Sequence, residues 1–481
     1  MNWLLVLEVV YILAICAIAL RIIYDTQSTS KTLAYLLLVV FLPLAGAIIY
    51  FSVGINYRNN KIYSRKLKVN TKQLEDVEEL LNTRARANME LLQPEVVRPL
   101  ATLLLNDSSS PFTMGNTVKL LVNGEEKFPE LFAMLDAAEQ HIHLEYYIVE
   151  PGAITDRMKE ILLRKASEGV QVRFIYDDFG SRSIRGRWVK ELIAGGVEAY
   201  PFSPVRLLLI ANRLNYRNHH KLVVVDGKSA LIGGINLSDR YSNANPAKGQ
   251  VYWRDTHLRV DGEGVHHLQH AFLCNWNFSA KQQLQMDRFF FPDLQGGTGD
   301  TGVQMAISGP DSPTETIMLS LMKAIHLAKE RILITTPYFI PGDPILDALR
   351  VAALSGVHVQ LLVPGNGDSW LVNHAARSFY GELLEAGAEI FLYRKGFMHA
   401  KTMVVDRSIS VIGTANMDQR SFHLNFEMNA MVYGSPMADE LAAVFANDLL
   451  HAERIDPERW RSRPDHKILP ERVARLLSPL M

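Results

Sequence analysis

Two long apolar stretches open the chain, before the pattern changes to short apolar runs that alternate with amphipathic stretches. Residues 3–20 contain Glu8 as their one charged side chain, and residues 32–53 contain none over 22 positions. A bilayer core needs about 20 apolar residues, so each stretch is long enough to cross it. A cleaved signal peptide is disfavoured, because only residues 1–2 precede the first stretch and the second follows at once. The pattern predicts two transmembrane helices.

The polar residues of this region set its orientation. Glu8 leaves open a second arrangement, with the first stretch along the membrane interface, because an intramembrane carboxylate is costly. Pro43 and Gly46 in the second stretch are tolerated in a lipid-embedded helix. Five basic residues follow that stretch, whereas Arg21 and Lys31 lie between the two. Because basic residues favour the cytoplasmic side, we expect the rest of the chain in the cytoplasm.

Beyond residue 58 the pattern is that of an α/β protein. Residues 69–105 have helical spacing and end at the breaker run 106–111. From residue 117 onwards short apolar strands alternate with amphipathic helices, which indicates a sheet with crossover helices. A glycine-rich break at 296–300 divides this region into halves of similar length.

The two halves resemble each other in sequence. Residues 169–173 (GVQVR) match 356–360 (GVHVQ), and residues 194–198 match 385–389. We therefore predict an internal duplication, giving two pseudo-twofold related domains that are each a mixed sheet flanked by helices. The first half has an 11-residue excess in the apolar segment 201–213, either a membrane contact or a plain surface hairpin.

The predicted organisation has five parts. They are a transmembrane hairpin at 1–58, a basic helical linker at 59–116, domains at 117–291 and 303–455, and a basic amphipathic segment at 456–481. In the last part Leu469, Val473, Leu476 and Leu480 share one helical face. An interfacial membrane helix and a helix packed on the domain both fit this pattern.

Charge and cysteine content narrow the function class. The chain has 50 Lys plus Arg against 51 Asp plus Glu, but residues 1–68 carry +5 and the remainder therefore −6. A membrane segment followed by an acidic body disfavours a nucleic-acid-binding protein. Cys16 and Cys274 are the only cysteines, so no disulfide framework is predicted.

One motif occurs twice, 180 positions apart. Residues 219–226 (HHKLVVVD) and 399–406 (HAKTMVVD) both read H-x-K-x-x-x-x-D, and G-x-x-N follows each at the same distance. The candidate catalytic residues are His219, Lys221, Asp226, His399, Lys401 and Asp406. Residues two apart in a strand share a face, so each histidine points the same way as its lysine. The apolar run that follows predicts a buried strand, and the Asp-Gly pair of the first copy predicts a hairpin turn.

Each half thus offers an imidazole, an ammonium and an amide donor, the last from Asn236 or Asn416. This set suits phosphate oxygens, whereas a lysine between the candidate ligands would repel a metal ion. We predict no metal and no other cofactor. Gly234 would let a ligand approach the backbone closely, and Thr414 is its counterpart in the second half.

The duplication suggests a mechanism. Displacement at phosphorus through a covalent intermediate needs one imidazole to attack and another to protonate the leaving group. We expect His219 as nucleophile and His399 as general acid and then base, with the reverse order open because the repeat is symmetric. The lysines and asparagines would stabilise the charge of the transferring group. Asp255 and Glu427 are candidates to fix the histidine tautomers, or else form ordinary salt bridges.

These motifs resemble those of the phospholipase D superfamily, and the chain as a whole is similar to bacterial cardiolipin synthases. Further similar segments are 145–148, 308–311, 336–341, 416–421 and 478–481. The first half departs from the pattern at Gly234, where the family often has a hydroxyl residue. The resemblance implies transfer of a phosphatidyl group from one phosphatidylglycerol to another, through a phosphatidyl-histidine, giving cardiolipin and glycerol. It also implies an inner-membrane protein with cytoplasmic catalytic domains and leaves the oligomeric state open.

Other functions stay open at this stage. A phospholipase D or a phosphatidyltransferase that uses water, serine or ethanolamine as acceptor fits the same motifs. A nuclease of the superfamily is disfavoured by the membrane segment and the acidic body. A membrane-tethered lipid-binding protein without turnover would be expected to have lost a histidine or lysine from one copy, and both copies are intact.

Overall fold

A computed structural model gives the architecture. It describes residues 3–26, 29–51, 89–90, 92, 95–202, 216–244, 246, 249–294 and 299–480. Most of the predicted 59–116 linker and of the 201–213 insert lies outside the described residues.

The two N-terminal apolar stretches form three helices, α1 (Trp3–Asp25), α2 (Thr29–Phe41) and α3 (Pro43–Ile49). Among the described residues one helix is long and apolar enough to cross a membrane, over Leu5–Asp25 with a mean hydropathy of 2.5. Helix α1 packs against α2 and the end of α3 through a small apolar cluster.

The second stretch does not form the single spanning helix that the sequence predicted. Proline lacks the N–H that would continue α2 but is well suited to the first turn of a helix, so the chain breaks at Leu42 and α3 begins at Pro43. Helix α3 then folds back on α2. The ring centroids of Tyr35 and Tyr50 lie 5.5 Å apart, and a Cβ on Gly46 would lie 2.4 Å from the carbonyl oxygen of Leu38.

The main body of the protein contains the two halves that the repeat predicted. The helix α4 (Arg98–Ser108) precedes them. The first half comprises β1 (Thr113–Val122), α5 (Asn123–Asp136), β2 (His141–Tyr146), α6 (Ala153–Ser167), β3 (Gln171–Asp177), α7 (Arg187–Ala194), β4 (Glu198–Phe202), β5 (Lys221–Val225), β6 (Ser229–Gly233), β7 (Trp253–Arg254), β8 (Thr256–Asp261) and α8 (Gly264–Ala280).

The second half repeats this order. It comprises β9 (Thr301–Ser308), α9 (Thr316–Leu327), β10 (Arg331–Thr335), β11 (Phe339–Ile340), α10 (Gly342–Leu354), β12 (His358–Pro364), α11 (Trp370–Glu385), β13 (Glu389–Tyr393), β14 (Phe397–Met398), β15 (Thr402–Val405), β16 (Ile409–Gly413), β17 (Met417–Asp418), α12 (Gln419–His423), β18 (Glu427–Tyr433), α13 (Ser435–Leu449) and β19 (Ala452–Arg454). The chain ends with α14 (Pro457–Arg461), α15 (Asp465–Leu476) and a short 3-10 turn at Ser478–Leu480.

The strands of both halves form one mixed sheet of 15 strands. From the central antiparallel pair β1–β9, the first half runs outward as β8-β6-β5-β2-β3-β4 and the second as β18-β16-β15-β10-β12-β13, with β19 added at the edge. Each strand of one half thus has its counterpart in the other, as a pseudo-twofold axis through the central pair requires. In each half three outer strands are parallel, and β5 or β15 runs antiparallel to them.

Apolar cores cover both faces of the sheet. One cluster belongs to the first half and one to the second. A third contains residues of both halves, among them Phe272 of α8 and Phe445 of α13, so the halves share a core. Helix α4 contributes Leu100 and Leu104 to the core of the second half. It therefore packs as part of the body, although the sequence placed it in a linker.

Candidate active site

The two motif histidines lie just before equivalent strands of the two halves. His219 precedes β5, whose residues 222–225 are all buried, and His399 precedes β15. Strand β5 begins opposite the end of β2, where Lys221 pairs with Tyr146. Strand β5 forms a hairpin with β6, as the motif predicts, and β15 forms the corresponding hairpin with β16.

Backbone hydrogen bonds join each histidine to the other half of the chain. The N–H of His219 donates to the carbonyl oxygen of Phe426 at 3.0 Å, and that of His399 donates to Arg254 at 2.7 Å. The residues that accept these bonds immediately precede the two candidate carboxylates. The packing of the halves therefore fixes the position of both imidazoles.

Each histidine contacts a carboxylate that belongs to the other half of the chain. Nδ1 of His219 lies 2.9 Å from Glu427, and Nδ1 of His399 lies 2.7 Å from Asp255. Both carboxylates are fully buried. A carboxylate on Nδ1 favours the tautomer with its proton there, which leaves Nε2 as the ring nitrogen that can face a substrate.

Burial is the main influence on the protonation of the two histidines. Together with the charges of Lys221 and Lys401 it holds the pKa of His219 well below its usual 6.5. For His399, burial and Lys401 lower the pKa to about 4, against the opposing charge of Asp255. The surroundings of both imidazoles therefore favour the neutral form, and a neutral Nε2 is a nucleophile.

The two lysines lie between these pairs. Lys221 Nζ donates to the carbonyl oxygen of His219 at 2.8 Å, and Lys401 Nζ donates to that of His399 at 2.5 Å. Burial lowers the pKa of Lys221 well below its ordinary value, and that of Lys401 to about 8, although nearby carboxylates oppose both shifts. Two such cations side by side are stabilised when an anion enters.

Gly234 and Thr414 occupy equivalent positions, but the first lies beside Asp255 and the second beside Glu427. The Thr414 hydroxyl donates to Glu427 at 2.5 Å and accepts the N–H of Met428 at 2.9 Å. At the corresponding place in the first half, a Cβ on Gly234 would lie 2.1 Å from Oδ1 of Asp255. The missing hydroxyl of the first half therefore makes room for the carboxylate that holds His399.

Glu427 has a further contact. Asn425 Nδ2 donates to it at 3.1 Å. Burial raises the pKa of Glu427 to about 7, and the charge of Lys221 opposes this shift. The burial of Glu427 thus disfavours its charged form, and the cations of the site oppose that effect.

The two asparagines are buried beside the histidines but already have partners. Asn236 Nδ2 donates to the hydroxyl of Tyr241 at 2.6 Å, and its oxygen accepts the N–H of Ile148. Asn416 Nδ2 donates to Asp418 at 3.0 Å. Each amide nitrogen has a second proton that these bonds do not use, so a role toward phosphate stays a prediction.

Asp226 and Asp406 do not join this cluster. They follow the ends of β5 and β15, so about five residues of strand, or roughly 16 Å, separate each from its histidine. Asp226 accepts the backbone N–H groups of residues 139–141 at 2.8–2.9 Å, and Asp406 accepts those of residues 329–331 at 2.8–3.0 Å. Both have a φ of 52°, a left-handed turn conformation that Asp tolerates. Their hydrogen bonds fit a structural role, and a catalytic role of these two residues stays a prediction.

Aromatic and charged residues complete the site without having been singled out from the sequence. The ring of Tyr147 lies 4.9 Å from that of His219, and Lys221 Nζ lies 5.3 Å from the Tyr147 centroid. Trp253 lies 5.4 Å from His399. The positive charge of Arg420 also contributes to lowering the pKa of His219. Tyr147 and Arg420 fall in the segments 145–148 and 416–421, but their side chains follow no spacing that would reveal a role.

No cluster suited to a metal ion occurs among the described residues, since no group of three or more His, Cys, Asp or Glu side chains converges there. The arrangement instead offers two neutral imidazoles backed by carboxylates and two ammonium groups. Such a set can hold an anionic phosphodiester, attack it from one side and protonate a leaving oxygen on the other.

Comparison with known proteins agrees with this geometry. The family model described as "Cardiolipin synthase, PLD-like domain" matches residues 131–248 and 321–449, and one described as "Phospholipase_D-nuclease N-terminal" matches residues 9–54. The crystal structure of phosphatidylserine synthase from Haemophilus influenzae superposes with a TM-score of 0.60 at 15% identity, covering 80% of this chain and 100% of that one. Fold and paired motifs thus define a protein of the phospholipase D-like class.

Sequence similarity narrows the class further. A cardiolipin synthase of Geobacillus kaustophilus is 41% identical over 464 residues, covering 96% of this chain and 91% of that protein. The major cardiolipin synthase ClsA of Bacillus subtilis is 39% identical, covering 99% of each chain. The chain belongs to the cardiolipin synthase family.

Proposed function

We propose that this protein is a phosphatidyltransferase that makes cardiolipin and glycerol from two molecules of phosphatidylglycerol. The observation that carries the proposal is the reciprocal pairing of His219 with Glu427 and of His399 with Asp255 around two buried lysines. Membership in a family whose relatives are named cardiolipin synthases supports the choice of substrate.

The reaction divides into two displacements at the same phosphorus. Nε2 of His219 forms a bond to phosphorus while the P–O bond to the glycerol headgroup breaks, and His399 supplies the proton that leaves with glycerol. The headgroup hydroxyl of a second phosphatidylglycerol then gives its proton to His399 and attacks phosphorus, and the bond to His219 breaks. One phosphodiester replaces another, so no nucleotide is consumed.

Substrate binding accounts for the proton that His399 needs. In the ligand-free protein burial and Lys401 lower the pKa of His399 to about 4. A phosphodiester brings one negative charge to the two ammonium groups, which offsets their effect on the imidazole. Protonation of His399 is thereby coupled to the presence of the substrate. Lys221 and Lys401 then stabilise the additional charge on the transferring group.

We also propose a membrane arrangement that differs from a two-span hairpin. In this arrangement α1 crosses the bilayer, while α2 and α3 enter it and return on the same side. Arg21 and Lys31 then lie on the side where Arg58 and the basic residues after it follow, and this side faces the cytoplasm. The catalytic body is cytoplasmic, and the N-terminus lies on the opposite face. Protease accessibility of an N-terminal tag in oriented membrane vesicles distinguishes this arrangement from two spans.

Separation of the reaction products tests the function. Purified protein is incubated with phosphatidylglycerol labelled in the headgroup, alone and with added ethanolamine or serine. Cardiolipin with one labelled glycerol released per molecule is the expected result. Phosphatidic acid as the single lipid product would identify a hydrolase, and an ethanolamine or serine lipid as the main product would identify another acceptor.

A further inference from the structure

Helix α15, near the C-terminus, has a charged residue on its buried face and apolar residues on its exposed face. Its face toward the body carries Glu471, which is buried and accepts hydrogen bonds from Arg377 and Arg463 at 2.7–2.9 Å. Its opposite face carries Leu469, Val473 and Leu476, which are 62%, 52% and 72% exposed. An amphipathic helix on a soluble domain normally buries its apolar face, so this helix is built to present that face to something else.

The surroundings of this face match an anionic membrane surface. Arg472 is exposed beside this face, and Lys467 and Arg461 are exposed at the start of the helix and just before it; together they outnumber Asp465, the exposed acid in the first turn. Exposed leucines flanked by basic side chains are typical of helices that lie in the interface of an anionic bilayer. The apolar face of α15, defined by Leu469, Val473 and Leu476, is called the C-terminal apolar face below.

The C-terminal apolar face lies beside segments that link it to the membrane helices and to the site. The turn Ser478–Leu480, which follows α15, contacts α2. The same turn contacts α12, which begins three residues after Asn416. It therefore connects a helix of the N-terminal membrane segment with the part of the second half that holds the site.

Topology puts the end of α15 at the end of the sheet that carries His399. Helix α11 starts just after β12, at the end of the sheet where His399 also lies. Helix α15 packs against α11, where Glu471 accepts a hydrogen bond from Arg377, and the turn after α15 contacts α12, which follows β16 and β17 at this same end of the sheet. The C-terminal end of α15 thus approaches Trp370 at the start of α11, which is itself 65% exposed.

From these observations we propose that the C-terminal apolar face is a second membrane contact, which rests on the anionic surface of the bilayer that contains α1. This contact would hold the mouth of the site against the lipid headgroups and keep water away from an intermediate that must react with a lipid alcohol. It adds a binding surface to the proposed function and does not depend on the identity of the acceptor.

The test uses the full-length chain in vesicles of phosphatidylcholine mixed with phosphatidylserine. A fluorophore is attached at Leu476→Cys or Val473→Cys in a Cys16→Ala background, since Cys274 is buried, and quenching by nitroxide-labelled lipid is measured. The matched control is Ile193→Cys, which is 52% exposed but lies on α7 just before the start of β4, at the opposite end of the sheet. Strong quenching at both positions of α15 and little at 193 is expected.

Equal quenching at positions 476 and 193 would overturn the proposal. A fluorescence interaction between the labels of two chains, without quenching by lipid, would also overturn the proposal. That result would assign the face to contact with a second copy of the protein. Because the readout needs no turnover, it can be repeated in His219→Ala, so a failure of the proposed reaction and a failure of the membrane contact are distinguishable.

An activity comparison shows whether the contact serves the site. We expect Leu469→Gln/Leu476→Gln to raise KM for substrate in vesicles about fivefold or more, with kcat in detergent micelles unchanged. Ile193→Gln is expected to leave both values unchanged. Full activity of the double variant on vesicles would overturn the link between this face and catalysis.

Discussion

His219 and Glu427 come from opposite halves of the chain, yet the imidazole Nδ1 lies 2.9 Å from the carboxylate. The equivalent pair is His399 and Asp255, whose Nδ1 and carboxylate oxygen lie 2.7 Å apart. Neither half therefore contains a complete site. Duplication supplies the second histidine, and it also lets each half support the imidazole of the other.

Removing the charge of either carboxylate should reduce turnover while the fold persists. Glu427→Gln and Asp255→Asn keep the side-chain volume but lose the charge that orients and stabilises an imidazolium, so kcat should fall about 10²–10⁴-fold. The surface variant Glu453→Gln, whose side chain is 67% exposed, serves as control and should retain kcat. Near-normal turnover in both site variants would leave these carboxylates as ordinary salt bridges.

The close approach of Gly234 to Asp255 gives a second prediction. Gly234→Ala would place a Cβ 2.1 Å from Oδ1 of Asp255, so the carboxylate must move away from His399 and kcat should fall about tenfold or more. Gly186→Ala is the matched control, because nothing lies within 4 Å of its Cβ. Indistinguishable kcat values for the two alanine variants would show that this space is not needed.

The motif aspartates should affect stability more than chemistry. Asp226→Ala removes the acceptor of three backbone N–H groups, which should lower the free energy of unfolding by about 1–3 kcal/mol. Thermal unfolding in detergent would show a lower Tm, while kcat per folded molecule changes little. Asp226→Asn, which retains one acceptor oxygen, should be intermediate. An unchanged Tm with lost turnover would restore a catalytic role.

Lys401 predicts how phosphodiester binding depends on pH. Burial lowers the pKa of Lys401 to about 8, so its ammonium is present below that pH and is lost as the pH rises through it. Binding of short-chain phosphatidylglycerol to the His219→Ala variant should therefore weaken above about pH 8. In His219→Ala/Lys401→Arg the decline should move to higher pH, because arginine stays protonated. The same decline in both variants would assign it to another group.

The sequence predicted the features that depend on local pattern. The repeat, the buried strand after each lysine, the hairpin after Asp226 and the approach of His219 to Lys221 on one face all follow from periods of two and from turn residues. The structure has the repeated strand order, the buried strand and the hairpin, whereas His219 precedes β5, so its shared strand face with Lys221 stays a prediction. The family also followed from the motifs, and the comparisons confirm it.

Features that depend on how segments pack could not be predicted. The exchange of Asp255 and Glu427 follows from the pseudo-twofold contact between halves, which no local spacing encodes. The second apolar stretch was long enough to span, but Pro43 ends α2 and Gly46 lets α3 fold back on it. Helix α4 has the helical spacing of a linker, yet Leu104 lies in the core of the second half.

The order of the two histidines remains the point on which the repeat itself gives no preference. His219→Ala and His399→Ala should each abolish turnover, so activity alone does not separate their roles. His399→Ala, however, retains the proposed nucleophile and lacks the base that activates the second lipid. It also lacks the acid that protonates the leaving glycerol, so the intermediate should form slowly in this variant and, once formed, persist longest.

Detection of that intermediate is the most direct test of a two-histidine phosphatidyl transfer. The protein is mixed with acyl-labelled phosphatidylglycerol, quenched under conditions that preserve phosphohistidine, digested and analysed by mass spectrometry, as wild type and as His399→Ala. The account predicts one phosphatidyl group on the peptide that contains His219, with both slower formation and slower loss of this group in the variant. A label on His399 in the wild type would reverse the two roles. Cardiolipin formation with no phosphatidyl group on either histidine peptide would contradict the mechanism.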